Sequence, residues 1–203
     1  DIIRNILIKS KSLIDNGKDF DEMYDKFSFK ELKMSGLLCV KPCLYVCNVD
    51  EKSIVTGNQY TEKFLKKFDK SKTIIISAEI ENQINQLDAK EKINFMEILN
   101  IKDTGLNYLI KKGYNLLNLE TFFTSGAKES RAWTIKKNCN APKAAGEIHS
   151  DFEKGFIRAE TISFKDFVEY GGWAGSKNKG RMRLEGKDYI VKDGDILNFR
   201  FNT

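Results

Sequence analysis

KPCLYVCNVDE (residues 41–51) and TIIISAE (residues 73–79) decide the fold. Each is an apolar run, CLYVC or TIII, that ends in a short polar loop. The span between them carries Tyr60, Phe64 and Phe68 at helical spacing. Strand, helix and strand in this order make a βαβ unit, which favours a parallel sheet with helices packed on it. In such sheets ligands gather at the carboxyl ends of the strands, where residues 48–51 and 77–79 both lie.

Working outward, the 203 residues are 41% hydrophobic and 31% charged, the balance of a soluble globular chain long enough for one or two cores. No apolar run approaches the roughly 20 residues a membrane helix needs, and no signal peptide is recognisable. The expected setting is the cytoplasm, with no membrane partner. A net charge of +5 permits contact with nucleic acid or ribosome without requiring it. Cys39, Cys43, Cys47 and Cys139 form no CxxC pair, and His149 is the sole histidine, so no metal site is assigned. The cysteines read as reduced, mostly buried thiols. A redox switch at Cys47, beside Asn48, is a lesser reading.

Residues 1–35 read as a charged helical arm. Ile3, Ile6, Leu7, Leu13 and Ile14 form one apolar seam, and Phe20, Met23, Tyr24 and Phe27 a second. Residues 36–118 hold the two strands and then mostly helix. Asp88 with Glu91 resembles a capping box, and Leu106, Leu109, Ile110, Tyr114 and Leu117 make a stripe that reads as core. From residue 119 the texture becomes α+β. Trp133 and Ile135 share a strand face, and one helix carries Ala145, Ile148 and Phe152. YIV and ILNFRF around a Lys192, Asp193, Gly194 turn suggest a closing hairpin, with Leu197, Phe199 and Phe201 inward. The chain opens at Asp1, already in helical pattern, which suggests a piece of a longer product.

In guanine-specific NTPases the base loop reads NKxD, and its acid accepts from the ring N–H and exocyclic amine of guanine. Here Asn48 fills the first position and can brace the neighbouring loop. Val49 stands second and Glu51 fourth, with Asp50 one position early and aimed elsewhere. Adenine presents an acceptor where guanine presents a donor, so a longer, re-aimed acid weakens guanine preference and can admit adenine. Ser77 and Ala78 would bring backbone N–H groups to the opposite edge of the base. The bland alternative is an Asx-type turn after a strand.

No GxxxxGK[ST] string occurs, so nothing in the chain cradles phosphates as a P-loop does. GGWAGSKNKG (residues 171–180) has the wrong spacing and reads as a mobile basic surface loop. The chain alone is therefore expected not to hydrolyse nucleotide. His149 reads as structural rather than catalytic. Lys177, Lys179, Arg181 and Arg183 form the densest basic cluster, a candidate contact for ribosomal RNA.

KPCLYVCNVDE, SAEIE with QLD after it, and GLNYLIKKGYNLLNLETFFTSGAKESRAWTI (residues 105–135) resemble the YchF / Obg-like ATPase family, TRAFAC-class P-loop NTPases. AAGEIHSDFEKGFIRAETISF (residues 144–164) and GKDYIVKDGDILNF (residues 186–199) do so too. The resemblance runs from about Leu37 onward. It implies an α/β fold: the end of a P-loop NTPase parallel sheet with a helical arm, followed by an α+β ubiquitin-like β-grasp (TGS) domain. Residues 1–35 would be the end of a coiled-coil insertion, 36–118 the C-terminal part of the nucleotide-binding domain, and 119–203 the TGS domain. It implies an ATP-preferring, ribosome-associated and redox-regulated hydrolase when intact, using ATP (or GTP) with Mg. The Mg, phosphate and catalytic groups would lie before residue 1. Asn48 and Glu51 map onto the family's NxxE base loop. The rival reading is a non-enzymatic ribosome- or RNA-binding module, and a cysteine-based redox sensor is a third. No oligomeric state is assigned.

Overall fold

The computed structural model of the protein describes residues 2–18 and 20–202. The chain divides into two compact units, Asp1–Gly105 and Leu106–Thr203. This division falls earlier than the boundary read near residue 119, because the helix opening at Gly105 groups with the second unit.

In the first unit, α1 (Ile2–Asp15), α2 (Asp21–Lys26) and α3 (Phe29–Met34) close on one apolar seam. Ile6, Met23 and Leu32 are buried there with Leu13 and Val40. Ser28 opens α3 with a reciprocal capping box, its Oγ accepting from the Glu31 N–H while the Glu31 carboxylate accepts from the Ser28 N–H. β1 (Tyr45–Asn48) and β2 (Thr73–Ile76) then pair in parallel, from Tyr45 opposite Thr73 to Asn48 opposite Ile76. The helix α4 (Gln59–Leu65) lies on the crossover between them. β1 is shorter than CLYVC suggests, since β2 begins at Thr73, opposite Tyr45, and leaves Cys43 and Leu44 outside the ladder. Tyr45, Phe64 and Phe68 pack as a trio with centroids 4.4–5.3 Å apart, whereas Tyr60, in the first turn of α4, is 70% exposed. Two further helices follow, α5 (Ala78–Gln86) and α6 (Ala89–Ile98), the second opened by the expected Asp88 and Glu91 box.

The second unit takes α7 (Gly105–Leu116) from Leu106 onward. Its stripe does not become core: Leu106, Ile110 and Leu117 stay about half exposed. On the same helix, Tyr114 shares a hydrogen bond with the Thr134 hydroxyl of the sheet at 3.1 Å. The strands are β3 (Leu119–Ser125), β4 (Ser130–Lys136), β5 (Phe156–Ser163), β6 (Arg183–Glu185) and β7 (Asp195–Phe201). They form one sheet in the order β4-β3-β7-β5-β6. β7 is central, parallel to β3 and antiparallel to β5. The helices are α8 (Ala141–Gly146), α9 (Ser150–Lys154), α10 (Phe164–Glu169) and α11 (Trp173–Asn178).

Phe122, Ile135, Ala144, Ala145, Leu197 and Phe199 are the heart of this core. Three features differ from the sequence reading. The single helix expected over Ala145 to Phe152 is two, because His149 takes an extended backbone and caps α9, although Ala145, Ile148 and Phe152 still reach the same core. No closing hairpin forms, since β7 gives its two edges to β3 and β5. Residues 171–180 are not a loop but hold α11, anchored where the Trp173 indole donates to the Ser125 carbonyl at 2.8 Å. Glycine is required there: a Cβ on Gly175 would fall 1.7 Å from the Tyr170 carbonyl oxygen. Among the described residues no helix is long and apolar enough to cross a membrane.

Candidate functional site

Parallel pairing of β1 and β2 delivers both polar loops to the same edge of the sheet. Asn48, the last residue of β1, reaches across with its side chain, and its Oδ1 accepts the Ala78 N–H at 2.9 Å. Beside it, the Val49 N–H donates to the Ile76 carbonyl at 2.8 Å. These two bonds staple residues 48–51 to the start of α5. Asp50 is turned away: its Oδ1 accepts the Ser53 N–H at 2.9 Å and caps a single tight turn, Glu51–Ser53. Glu51 opens that turn and is exposed.

Ser77 is 1% exposed and caps α5 through its Oγ, which accepts from the Ile80 N–H. Ala78 is exposed, but its N–H is already taken by Asn48. The expectation that Ala78 offers this N–H to a base is therefore corrected: as the first amide of α5 it has no intrahelical acceptor, and Asn48 Oδ1 supplies one. The loops present the Asn48 carboxamide donors, the half-buried Val49 and the Glu51 carboxylate. An ionised carboxylate only accepts, so Glu51 suits an exocyclic amine or a ring N–H.

One turn further along α5, Glu81 Oε1 accepts the Gly105 N–H at 2.6 Å. Nothing in the sequence reading pointed to this bond, since its partners are 24 residues apart and one is a backbone amide.

The four basic residues do not form one exposed patch of equal members. Lys177 and Lys179 are exposed, at the end of α11 and just beyond it. Arg181 Nε lies 3.8 Å from the Asp166 carboxylate. Arg183 donates to Glu185 at 3.0 Å and to the Tyr189 hydroxyl at 3.1 Å, and sits 3.6 Å from Asp195. Burial first, and the hydrogen bond to Asp195 next, push the Tyr189 hydroxyl well above its ordinary range, so it stays protonated. His149 caps α9, its Nδ1 accepting the Asp151 N–H at 3.2 Å. The cysteines are free thiols but not mostly buried: Cys43 is exposed and Cys39, Cys47 and Cys139 are half-buried, because Cys43 precedes the paired strand. Burial raises the Cys139 thiol above its usual value, with the Glu147 carboxylate adding to it. Among the described residues no three His, Cys, Asp or Glu side chains cluster to hold a metal ion.

A family model described as YchF-GTPase_C, protein of unknown function (DUF933), matches residues 119–202. The ribosome-binding ATPase YchF of Pasteurella multocida is 48% identical over 181 residues, covering 88% of this chain and 50% of that protein. Obg-like ATPase 1 of Pongo abelii is 39% identical over 207 residues, covering 98% of this chain and 52% of its own. The solved structure of the Schizosaccharomyces pombe YchF GTPase superposes with a TM-score of 0.73 at 31% identity, covering 95% of this chain and 54% of that one. A GTP binding protein from Pyrococcus horikoshii shares the fold at a TM-score of 0.54 and 17% identity, over 81% of this chain and 47% of that one. The chain spans about half the length of the curated relatives it matches. With its two strand-end loops stapled together and its second unit matched by the family model, it belongs to the YchF / Obg-like ATPase family.

Proposed function

We propose that residues 36–118 supply the base-recognition part of a P-loop NTPase that prefers ATP to GTP and works at the ribosome in the cytoplasm. Residues 119–203 act as a TGS domain, a ubiquitin-like β-grasp module that meets the partner. The observation that carries the reading is the bond from the Ala78 N–H to Asn48 Oδ1, which joins the two loops at the strand ends. With Asp50 held in its cap, Glu51 is the acid of residues 48–51 that is left to meet a base. It stands where guanine-reading loops carry the shorter aspartate, and the extra methylene re-aims the carboxylate toward adenine. Asn48, Val49 and Glu51 frame one side of the base, and the exposed Ala78, held by the buried cap Ser77, bounds the other.

The strand order supports the β-grasp reading. A first hairpin is followed by helices, and the last strand inserts between the first and third, parallel to the first. The relatives' names, ribosome-binding ATPase and YchF GTPase, support the activity and the partner. Phosphate and Mg groups belong to the preceding half of such a protein. This chain alone is inactive as a hydrolase.

The test is Glu51→Asp in the full-length protein, with ATP and GTP affinities measured side by side. A shift of the affinity ratio toward GTP is expected, and an unchanged ratio removes the assignment. The rival, a ribosome- or RNA-binding module that never uses nucleotide, is favoured by the exposed Lys177 and Lys179. It would give ribosome co-sedimentation that falls steeply with salt and ignores ATP.

A further inference from the structure

We infer that Glu81 is a positioning residue that ties the base loops to the point where the chain leaves its first unit, so that a base held there tightens the start of α7. The inference rests on the base-site reading above. The two places are joined without slack. Asn48 is bonded to Ala78 at the first residue of α5. Ser77, Ile80 and Ile84 are each no more than 1% exposed, which fixes α5 against its core. Glu81 lies three residues past Ala78, about 4.5 Å along the helix axis.

From there its carboxylate grips the Gly105 N–H at 2.6 Å, at the short end for a charge-assisted bond. Gly105 is buried, and it is both the last residue of the first unit and the first of α7. The fit around it is close: a Cβ there would fall 2.6 Å from Ile76 Cγ2 and 2.9 Å from Glu81 Oε1. Ile76 ends β2 and directly precedes Ser77. The same short run of residues therefore shapes the base loop on one side and holds the start of α7 on the other. A ligand that restrains residues 48–51 and 77–78 restrains Glu81, and through it the Gly105 amide. Glu81 itself touches no base.

The experiment is amide hydrogen exchange over residues 104–108 of the full-length protein, with and without saturating ATP, with ATP affinity measured on the same samples. Wild type, Glu81→Ala and Glu81→Gln are compared. ATP is expected to slow exchange in the wild type by about fivefold or more, the lower range of ordinary site-to-site coupling. Glu81→Gln retains an acceptor and keeps the effect. Glu81→Ala loses it and, because coupling is reciprocal, weakens ATP binding by about the same factor, fivefold or more, while Glu81→Gln restores both. ATP binding without slower exchange in the wild type, which needs no variant to fold, overturns the inference and leaves the base site standing. Slowing that survives Glu81→Ala also overturns it. Absence of ATP binding overturns the inference together with the base-site reading.

Discussion

Asp195 accepts the Tyr189 hydroxyl at 2.6 Å, and the same oxygen accepts the Lys192 N–H at 2.9 Å. The pair folds the intervening turn onto the base of β7 and holds Tyr189 beside it. Asp195 is only 3% exposed, so its carboxylate depends on these donors and on the nearby Arg183.

Removing one partner should cost less than removing the hub. Tyr189→Phe leaves Asp195 with the Lys192 amide and Arg183, and is expected to lower stability by about 1 kcal/mol. Asp195→Ala strands the Tyr189 hydroxyl and the Lys192 N–H together, and should cost about 2–4 kcal/mol. Urea unfolding of the three proteins checks the order, and equal losses would contradict it.

Alkaline titration tests the same network. The Tyr189 hydroxyl is raised by burial and by Asp195, so its protonated form is favoured by folding. Its contribution is fully present below the ordinary tyrosine value of about 10 and is lost as pH rises from there toward the folded value. Tyrosinate absorbance should show one of the seven tyrosines ionising last, and Tyr189→Phe should delete that late step.

Asn48→Ala removes the staple between the two loops. Both ends are exposed, so unfolding stability should change little. Nucleotide affinity of the full-length protein should fall about tenfold, the weight of one hydrogen bond that pre-forms a site. Calorimetric binding and a melting curve on one preparation separate the two effects.

Gly105→Ala places a methyl group against Ile76 and the Glu81 carboxylate, 2.6 and 2.9 Å away. Overpacking of this kind costs about 1–3 kcal/mol. Thermal unfolding should show a clear drop, while Gly113→Ala, with nothing within 4 Å of the new Cβ, should show none.

Exposed and engaged basic residues should behave differently toward RNA. Replacing Lys177 and Lys179 together with Ala is expected to lower the salt slope of ribosome binding by about 1–2 without loss of stability. Arg183→Ala should instead destabilise the fold, because it undoes contacts to Glu185, Tyr189 and Asp195. A filter-binding salt series and a melting curve distinguish them.

Much of this was legible in the residues, and the misses share a cause. The apolar runs ending at Cys47 and Ile76, with a helical span between them, announce a parallel pair, because adjacent parallel strands need a crossover. Inward Leu197 and Phe199 followed from simple alternation. Alternation tells which face a residue takes but not which strand it pairs with, so in place of the expected closing hairpin β7 has partners far off in sequence. The role of Asn48 as a brace was visible in its side chain. The loss of the Ala78 donor was not, since backbone amides are the same at every position. The Glu81 grip on Gly105 was hidden for the same reason.

The central place of β7 also makes it the strand on which the sheet depends. β3 and β5 share no ladder with each other; each meets residues 195–201. Without β7 no ladder joins the hairpin of β3 with β4 to the pair of β5 with β6. Two-stranded ribbons are marginal in water, and pairings between distant segments are slow to form. The sheet of the second unit is therefore completed only by its pairings with residues 195–201, and losing that strand would divide it in two.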